Sequence, residues 1–219
     1  YWFGSNSCQD FKINYEIWMP VGNQLDLRNK YGNSYVANLN GYLMSDIKYG
    51  DLRTENISEI AELNIGYGKA TLGRVNNLKG QVSYGGITLG EARDVQLDSK
   101  YSEMKFEKAR SVRITSKYDD FSLGNLSELR LLTKYANVRV NSANMAMITA
   151  QYTDVKLNNI GQSLDADLEY GSLKNHIDKP YPLQFTLGKG IPHIHYTNQD
   201  SIKAWHERTP SMDALQNHD

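Results

Sequence analysis

One cysteine, Cys8, is present among 219 residues, so no disulfide can close within the chain, and neither an oxidising nor a reducing compartment follows from it. Charge of one sign is equally scarce: 24 Lys and Arg stand against 25 Asp and Glu, a formal net charge of −1. That balance sets up no field of the kind that gathers nucleic acid. Long apolar runs are missing too, and nothing approaches the roughly 18 residues that a membrane-crossing helix requires. No glycine-rich loop runs into a helix bearing Lys-Ser or Lys-Thr, which leaves no phosphate cradle. The chain opens at Tyr1 without Met or a basic and apolar leader, so a processed or trimmed precursor is expected, with any targeting signal outside the sequence.

What is present is a period. Tyr31, Tyr49, Tyr67, Tyr84, Tyr101, Tyr118, Tyr135, Tyr152 and Tyr170 follow one another at intervals of 18, 18, 17, 17, 17, 17, 17 and 18 residues. Three and five places beyond the tyrosines stand apolar residues, as in Met104 with Phe106, Phe121 with Leu123, and Val138 with Val140. A third apolar column lies eight places beyond, from Leu39 and Ile57 to Ala109 and Leu126. Alternation resumes before the next tyrosine, as in Val112 with Ile114 and Leu129 with Leu131. Spacing by two is strand spacing.

Five turns of helix would also give a period near 18, but residues three and five places on would then point to different sides, and the glycines after the tyrosines would weaken each helix. An outer-membrane barrel needs an apolar outer band. Here the alternate positions are charged: Asp51, Arg53, Lys69, Glu103, Lys105 and Asp120. An antiparallel sheet outside a membrane remains a rival. The reading that uses every column is a parallel solenoid with one coil per period, whose coils stack about 4.8 Å apart and place like residues above one another. On this reading the small residue after each tyrosine, as in Gly50, Gly68 and Gly85, lets the chain bend. The tyrosine ring sits on the inner side of that bend, stacked on its neighbours with its hydroxyl near solvent. Ala109 offsets the bulk of Met104 and Phe106, so volume is conserved from coil to coil.

A solenoid must cover its two ends or polymerise. Residues 10–20, DFKINYEIWMP, alternate like a further strand, and residues 181–198 read as two strands about a Gly-Lys-Gly turn. The expected organisation is an N-terminal strand and cap over 1–25, solenoid repeats over 26–178, and a C-terminal hairpin cap and tail over 179–219.

The run LDLRNKYGNSYVANLNGYLMSDIKYGDLRTENI, with the returning YGK, YGG and KYANVRV, resembles the β-strand-repeat family of bacterial envelope proteins that carry the label adhesin. The likeness extends from about Asp10 through Leu173 and includes the MP that precedes the first repeat. It implies a right-handed parallel β-helix, a secreted or envelope location, and no catalytic residues to carry over. Beyond Pro180 the chain departs from the pattern.

Stacked coils would place Lys100, Lys117 and Lys134 above one another, each just before Tyr101, Tyr118 or Tyr135, with Lys30 and Lys48 in the same column. Two readings follow. Glu103, Asp120 and Asp154 can neutralise the lysines as a solvated ladder of ion pairs. Alternatively the lysines and tyrosine hydroxyls form a basic strip for an anionic polysaccharide or peptide. Glu103 and Asp120 on adjacent coils also stand near the separation of a retaining carboxylate pair, although Lys100 and Lys117 would depress both pKa values when the acid of such a pair must stay protonated. His193 and His195 would share one side of a strand, and His206 could join them on zinc, but two histidines without a fixed third ligand do not make a site.

The sequence therefore predicts an all-β chain, a parallel β-helix or solenoid of about nine coils of 17–18 residues with capping strands at both ends, right-handed as the resemblance implies. It is expected to be non-enzymatic, without cofactor or metal, and extracellular, periplasmic or in the cell envelope. Its partner would be a cell-surface polysaccharide or a protein, not nucleic acid, met through a flat repetitive face at Lys100, Lys117, Lys134, Tyr101, Tyr118 and Tyr135. The alternatives are a polysaccharide-active β-helix enzyme, lyase or glycoside hydrolase, and a purely structural assembly module.

Overall fold

The computed structural model describes residues 13–175 and 183–187. Each tyrosine period is one coil, and its strands pair in parallel with the coils on either side. Short strands open the stack: β1 (Leu25–Lys30), β2 (Ser34–Val36), β3 (Leu43–Lys48), β4 (Leu52–Thr54) and β5 (Ile57–Gly66). Long bent strands then fill whole coils: β6 (Lys69–Ser83), β7 (Gly86–Lys100), β8 (Glu103–Lys117), β9 (Asp120–Lys134), β10 (Asn137–Gln151) and β11 (Asp154–Glu169). The stack ends with β12 (Ser172–Asn175) and β13 (Leu183–Leu187), both paired in parallel with β11. Among the described residues there is no helix, hence none long and apolar enough to cross a membrane.

Why a coil has corners is visible in its burial pattern. Along β8 the inward side chains are Met104, Phe106, Ala109, Val112 and Ile114, all buried. Strict alternation is broken twice, where Glu107 with Lys108 and Arg110 with Ser111 turn outward in succession. At those places pairing with β9 skips Glu107 and Arg110. Each coil thus has straight pieces equivalent to 103–106, 108–109 and 111–117, the last being the long side. Where a coil has 18 residues, the extra one is taken up as a bulge, between Ile57 and Ile60 in one coil and opposite the Ala143 to Met145 step in another.

The third corner is the tyrosine, and here two expectations are corrected. All nine repeat tyrosines adopt φ between 50° and 64°, the left-handed region that a bulky residue seldom enters. The bend is therefore taken by the tyrosine and not by the small residue after it. A left-handed residue inverts the parity of the chain, so the ring swings outward and is not inside the bend: Tyr101, Tyr118 and Tyr135 are each 46% exposed. The stacking itself is as expected. Successive rings lie 4.8–5.1 Å apart, with planes within 13° of parallel. A left-handed residue costs about 1–2 kcal/mol, and a stacked aromatic pair returns about 0.5–1.5 kcal/mol, so the ladder roughly offsets its own strain. Backbone bonding also continues through the corner: Tyr101 N–H donates to the Lys117 carbonyl at 3.1 Å, and Glu103 N–H to the Gly85 carbonyl at 3.0 Å.

Glycine after the tyrosine answers a different need. A Cβ on Gly68 would lie 1.9 Å from the Gly50 carbonyl oxygen on the coil before it. Volume is not conserved from coil to coil either. The layer Phe121, Leu123, Leu126, Leu129 and Leu131 is followed by Val138, Val140, Ala143, Ala146 and Ile148, which is smaller at every position but the last.

The ends also differ from expectation. Residues 13–20 form no strand, and Tyr15 and Trp18 are exposed; Met19 alone of that stretch packs on the core. Ile13, Tyr15 and Ile17 keep the alternation but all stay exposed, and an alternation that buries nothing does not make a strand, even though β1 pairs only with β3 among the described residues. Among the described residues the cover at this end is a turn in which Pro20 accepts from Asn23 N–H, while Val21 accepts from Asn40 N–H at 2.7 Å, followed by β1. At the other end the first strand of the expected hairpin exists as β13, laid in parallel on 164–168. Its second strand and the tail after it lie outside the described residues.

Candidate binding face

The lysine column forms as the period requires. Lys100, Lys117 and Lys134 are register partners on β7, β8 and β9, all exposed and each next to its exposed tyrosine. None of the three has an ion-pair partner among the described residues, so the expected neutralising ladder is corrected. Its intended carboxylates are held elsewhere. Glu103 pairs with Lys105 at 2.7 Å, Asp120 Oδ1 accepts from Asn137 Nδ2 at 2.8 Å, and Asp154 Oδ1 accepts from Ser172 Oγ. The reason is the left-handed corner, which puts the lysines on the long side and the carboxylates on the next piece of the coil. At the N-terminal end the column is less free: Lys48 lies 3.9 Å from Asp46, and the Lys30 ammonium sits 4.9 Å over the Tyr31 ring.

Beside the lysines the tyrosines offer edges, not faces. Each interior ring is covered on both sides by its neighbours, so a sugar cannot stack on it. The hydroxyls of the row make no hydrogen bond within the described residues. Desolvation, then the neighbouring Tyr170 and Tyr135 and the charge of Glu169, raise the pKa of Tyr152, which keeps that hydroxyl a donor at neutral pH.

Beneath this face runs a buried polar seam that the repeat pattern alone did not disclose. Ser99, Ser116 and Thr133 occupy inward positions two places before their tyrosines, and Ser102, Asp119 and Thr153 follow theirs directly. Ser116 Oγ and Thr133 Oγ1 are 2.5 Å apart. Asp119, only 2% exposed, accepts from Ser102 N–H at 2.7 Å and from the Ser99 hydroxyl. Burial pushes its pKa up to about 6 against the lowering effect of those two bonds, with the charge of Asp120 adding to the rise. The signal in the sequence was an Asp in a column otherwise filled by Gly, Ser, Ala and Thr.

A second feature also went unread. Seven to nine places after the tyrosines, a groove of about 720 Å³ crosses five coils from Asn56 to Ser127. Its visible signature is the basic set Arg74, Arg93, Lys108 and Arg110 flanking the alanines Ala92 and Ala109. Glu103 and Asp120 are register partners, as expected, but neither lines this groove. His176, His193, His195, His206 and Cys8 lie outside the described residues. Comparison with protein families, curated proteins and solved structures found no match. The likeness to the adhesin-labelled family thus rests on the repeat pattern, and what stands is a β-solenoid of stacked repeats.

Proposed function

We propose that the chain is a non-enzymatic binding module, secreted or held in a bacterial envelope, that grips an anionic cell-surface polysaccharide along its lysine column and tyrosine row. The observation that carries this reading is that Lys100, Lys117 and Lys134 stand in register without ion-pair partners. Adjacent ammonium groups one coil step apart repel by about 0.8 kcal/mol in water, and a polymer with regularly spaced acids relieves that repulsion at each step. Weak contacts repeated along a rigid sheet add through effective concentration. The coil step is also close to the length of one sugar in an extended 1,4-linked chain, so a guest lying along the axis keeps phase with the lysines. Tyrosine edges supply hydroxyls to it, and stacking plays no part. Catalysis draws no support from the expected carboxylate pair, because Glu103 is neutralised by Lys105 and Asp120 is engaged by Asn137.

A glycan array with the purified protein tests this reading. Saturable binding to long acidic polysaccharides should weaken at least tenfold in Lys117→Glu/Lys134→Glu. Unchanged affinity for those polymers in the double variant removes the face from consideration, and a blank array removes the polysaccharide reading.

A further inference from the structure

The groove after the second corner lies on a different part of the coil from the tyrosine row and is built differently. Its floor is the corner backbone at Ile57, Val75, Ala92, Ala109 and Leu126, whose side chains turn inward into the core, and its walls are the outward side chains on either side of that column. Four cations converge on its middle, and two carboxylates are shared among them. Glu91 takes Arg74 Nε at 3.1 Å and Lys108 Nζ at 3.2 Å. Asp94 takes Arg110 at 2.7 Å and Arg93 Nε at 3.4 Å. Four positive charges less two negative leave an excess of two. The pairs engage one nitrogen on each arginine, leaving the other guanidinium nitrogens without acceptors among the described residues. Lys108 and then Arg74 hold Glu91 below the usual carboxylate range, so it stays charged and the cations stay in place.

The ends of the groove are neutral and polar, with Asn56 and Ser58 at one and Asn125 and Ser127 at the other. Five coils span four steps of 4.8–5.0 Å, or roughly 20 Å of length for a guest lying across the strands. We propose that this groove is a second, independent site that takes a short acidic oligosaccharide, its uronate carboxylates on Arg74, Arg93, Lys108 and Arg110 and its hydroxyls on the terminal Asn and Ser side chains.

A peptide fits less well. Addition of a peptide as a further strand needs unpaired backbone groups on a sheet edge, and here the strands are already paired on both sides from coil to coil, so an acidic peptide would have only its side chains to meet the arginines. A sugar needs only side-chain donors and acceptors, which the groove supplies, while guanidinium forks suit planar carboxylates.

Calorimetric titration with a short oligogalacturonate, and with its fully methyl-esterified form as the neutral control, tests the assignment. Arg93→Gln/Arg110→Gln should weaken binding of the acid at least tenfold. Asp94→Asn, which removes the internal competitor for Arg93 and Arg110, should tighten it several-fold. A network that serves only stability would shift the melting temperature in both variants and move neither affinity. Lys117→Glu/Lys134→Glu should leave this binding within twofold of wild type, which separates failure of the groove from failure of the lysine face. No saturable binding of the acid, equal binding of the methyl ester, or unchanged affinity in both groove variants overturns the proposal.

Discussion

Asp119 accepts the backbone N–H of Ser102, its counterpart on the preceding coil, at 2.7 Å, with both residues buried beneath the tyrosine row. The bond fixes the carboxyl but does not replace the water it has lost. Its pKa stands at about 6 in the fold, against an ordinary 3.8, so the folded chain favours the protonated form. The contribution of this group to stability is complete below about pH 4 and is lost as pH rises through 6, at a cost of about 3 kcal/mol above it. Asp119→Asn keeps an acceptor for Ser102 and has no charge to bury. Urea unfolding of both proteins at pH 4.5 and 7.5 should show the variant gaining about 1–3 kcal/mol over wild type at the higher pH and much less at the lower. An identical difference at the two pH values refutes the assignment.

Phe121 lies in a central layer, 1% exposed, with Met104 on one side and Val138 on the other as register partners. Truncation to alanine removes most of a ring and leaves a cavity that parallel strands, tied to both neighbouring coils, can close only in part. The expected loss is about 3–5 kcal/mol, read from chemical denaturation. A loss below about 1 kcal/mol would place this side chain outside the core.

The columns that include Met104, Phe106, Phe121 and Leu123 were legible in the sequence because parity on an extended strand leaves no freedom: residues two apart share a side. The long side, with Val112 and Ile114 or Leu129 and Leu131, was legible for the same reason. Counting failed at Tyr101 and its equivalents because one left-handed residue resets parity, and the adjacent glycine was the natural suspect for such a conformation. That single misplacement propagated. It put the rings inside the bend, and it set Glu103 and Asp120 beside Lys100 and Lys117 when the corner in fact divides them. Strand alternation over 10–20 misled for a different reason: Ile13, Tyr15 and Ile17 have the spacing of a strand but remain exposed, so no burial holds them against the edge of β1. The groove was hidden because its cations belong to two columns, seven and nine places after the tyrosine, that come together only around a corner.

If the tyrosine and not the glycine holds the bend, substitutions at the two positions should fail in different ways. At Tyr118, with φ 59°, Tyr118→Asn loses stacking on two rings but suits the left-handed region, whereas Tyr118→Val loses the same stacking and adds β-branched strain. Thermal melting should rank Val below Asn by the equivalent of about 1 kcal/mol or more, although valine is the better strand former. Gly68→Ala should be costly without any such strain, since its Cβ meets the Gly50 carbonyl oxygen at 1.9 Å. Equal melting of the two Tyr118 variants would contradict the left-handed corner.

Unpaired lysines in a column should also leave a thermodynamic trace without any ligand. Lys117 stands between Lys100 and Lys134 and so takes part in both repulsions. Removing its charge as Lys117→Gln relieves both while leaving most of the aliphatic stem, so the variant should be more stable than wild type by a few tenths of a kcal/mol at low ionic strength. Salt screens charges one coil step apart, with a Debye length of about 3 Å at 1 M against about 30 Å at 0.01 M, so the gain should fade as salt is raised. Had the column been a ladder of ion pairs, the sign would be reversed, with Lys117→Gln destabilising at low salt. Denaturation of both proteins at those two ionic strengths decides between the signs, and a destabilised variant at low salt would remove the free cations on which the polysaccharide reading depends.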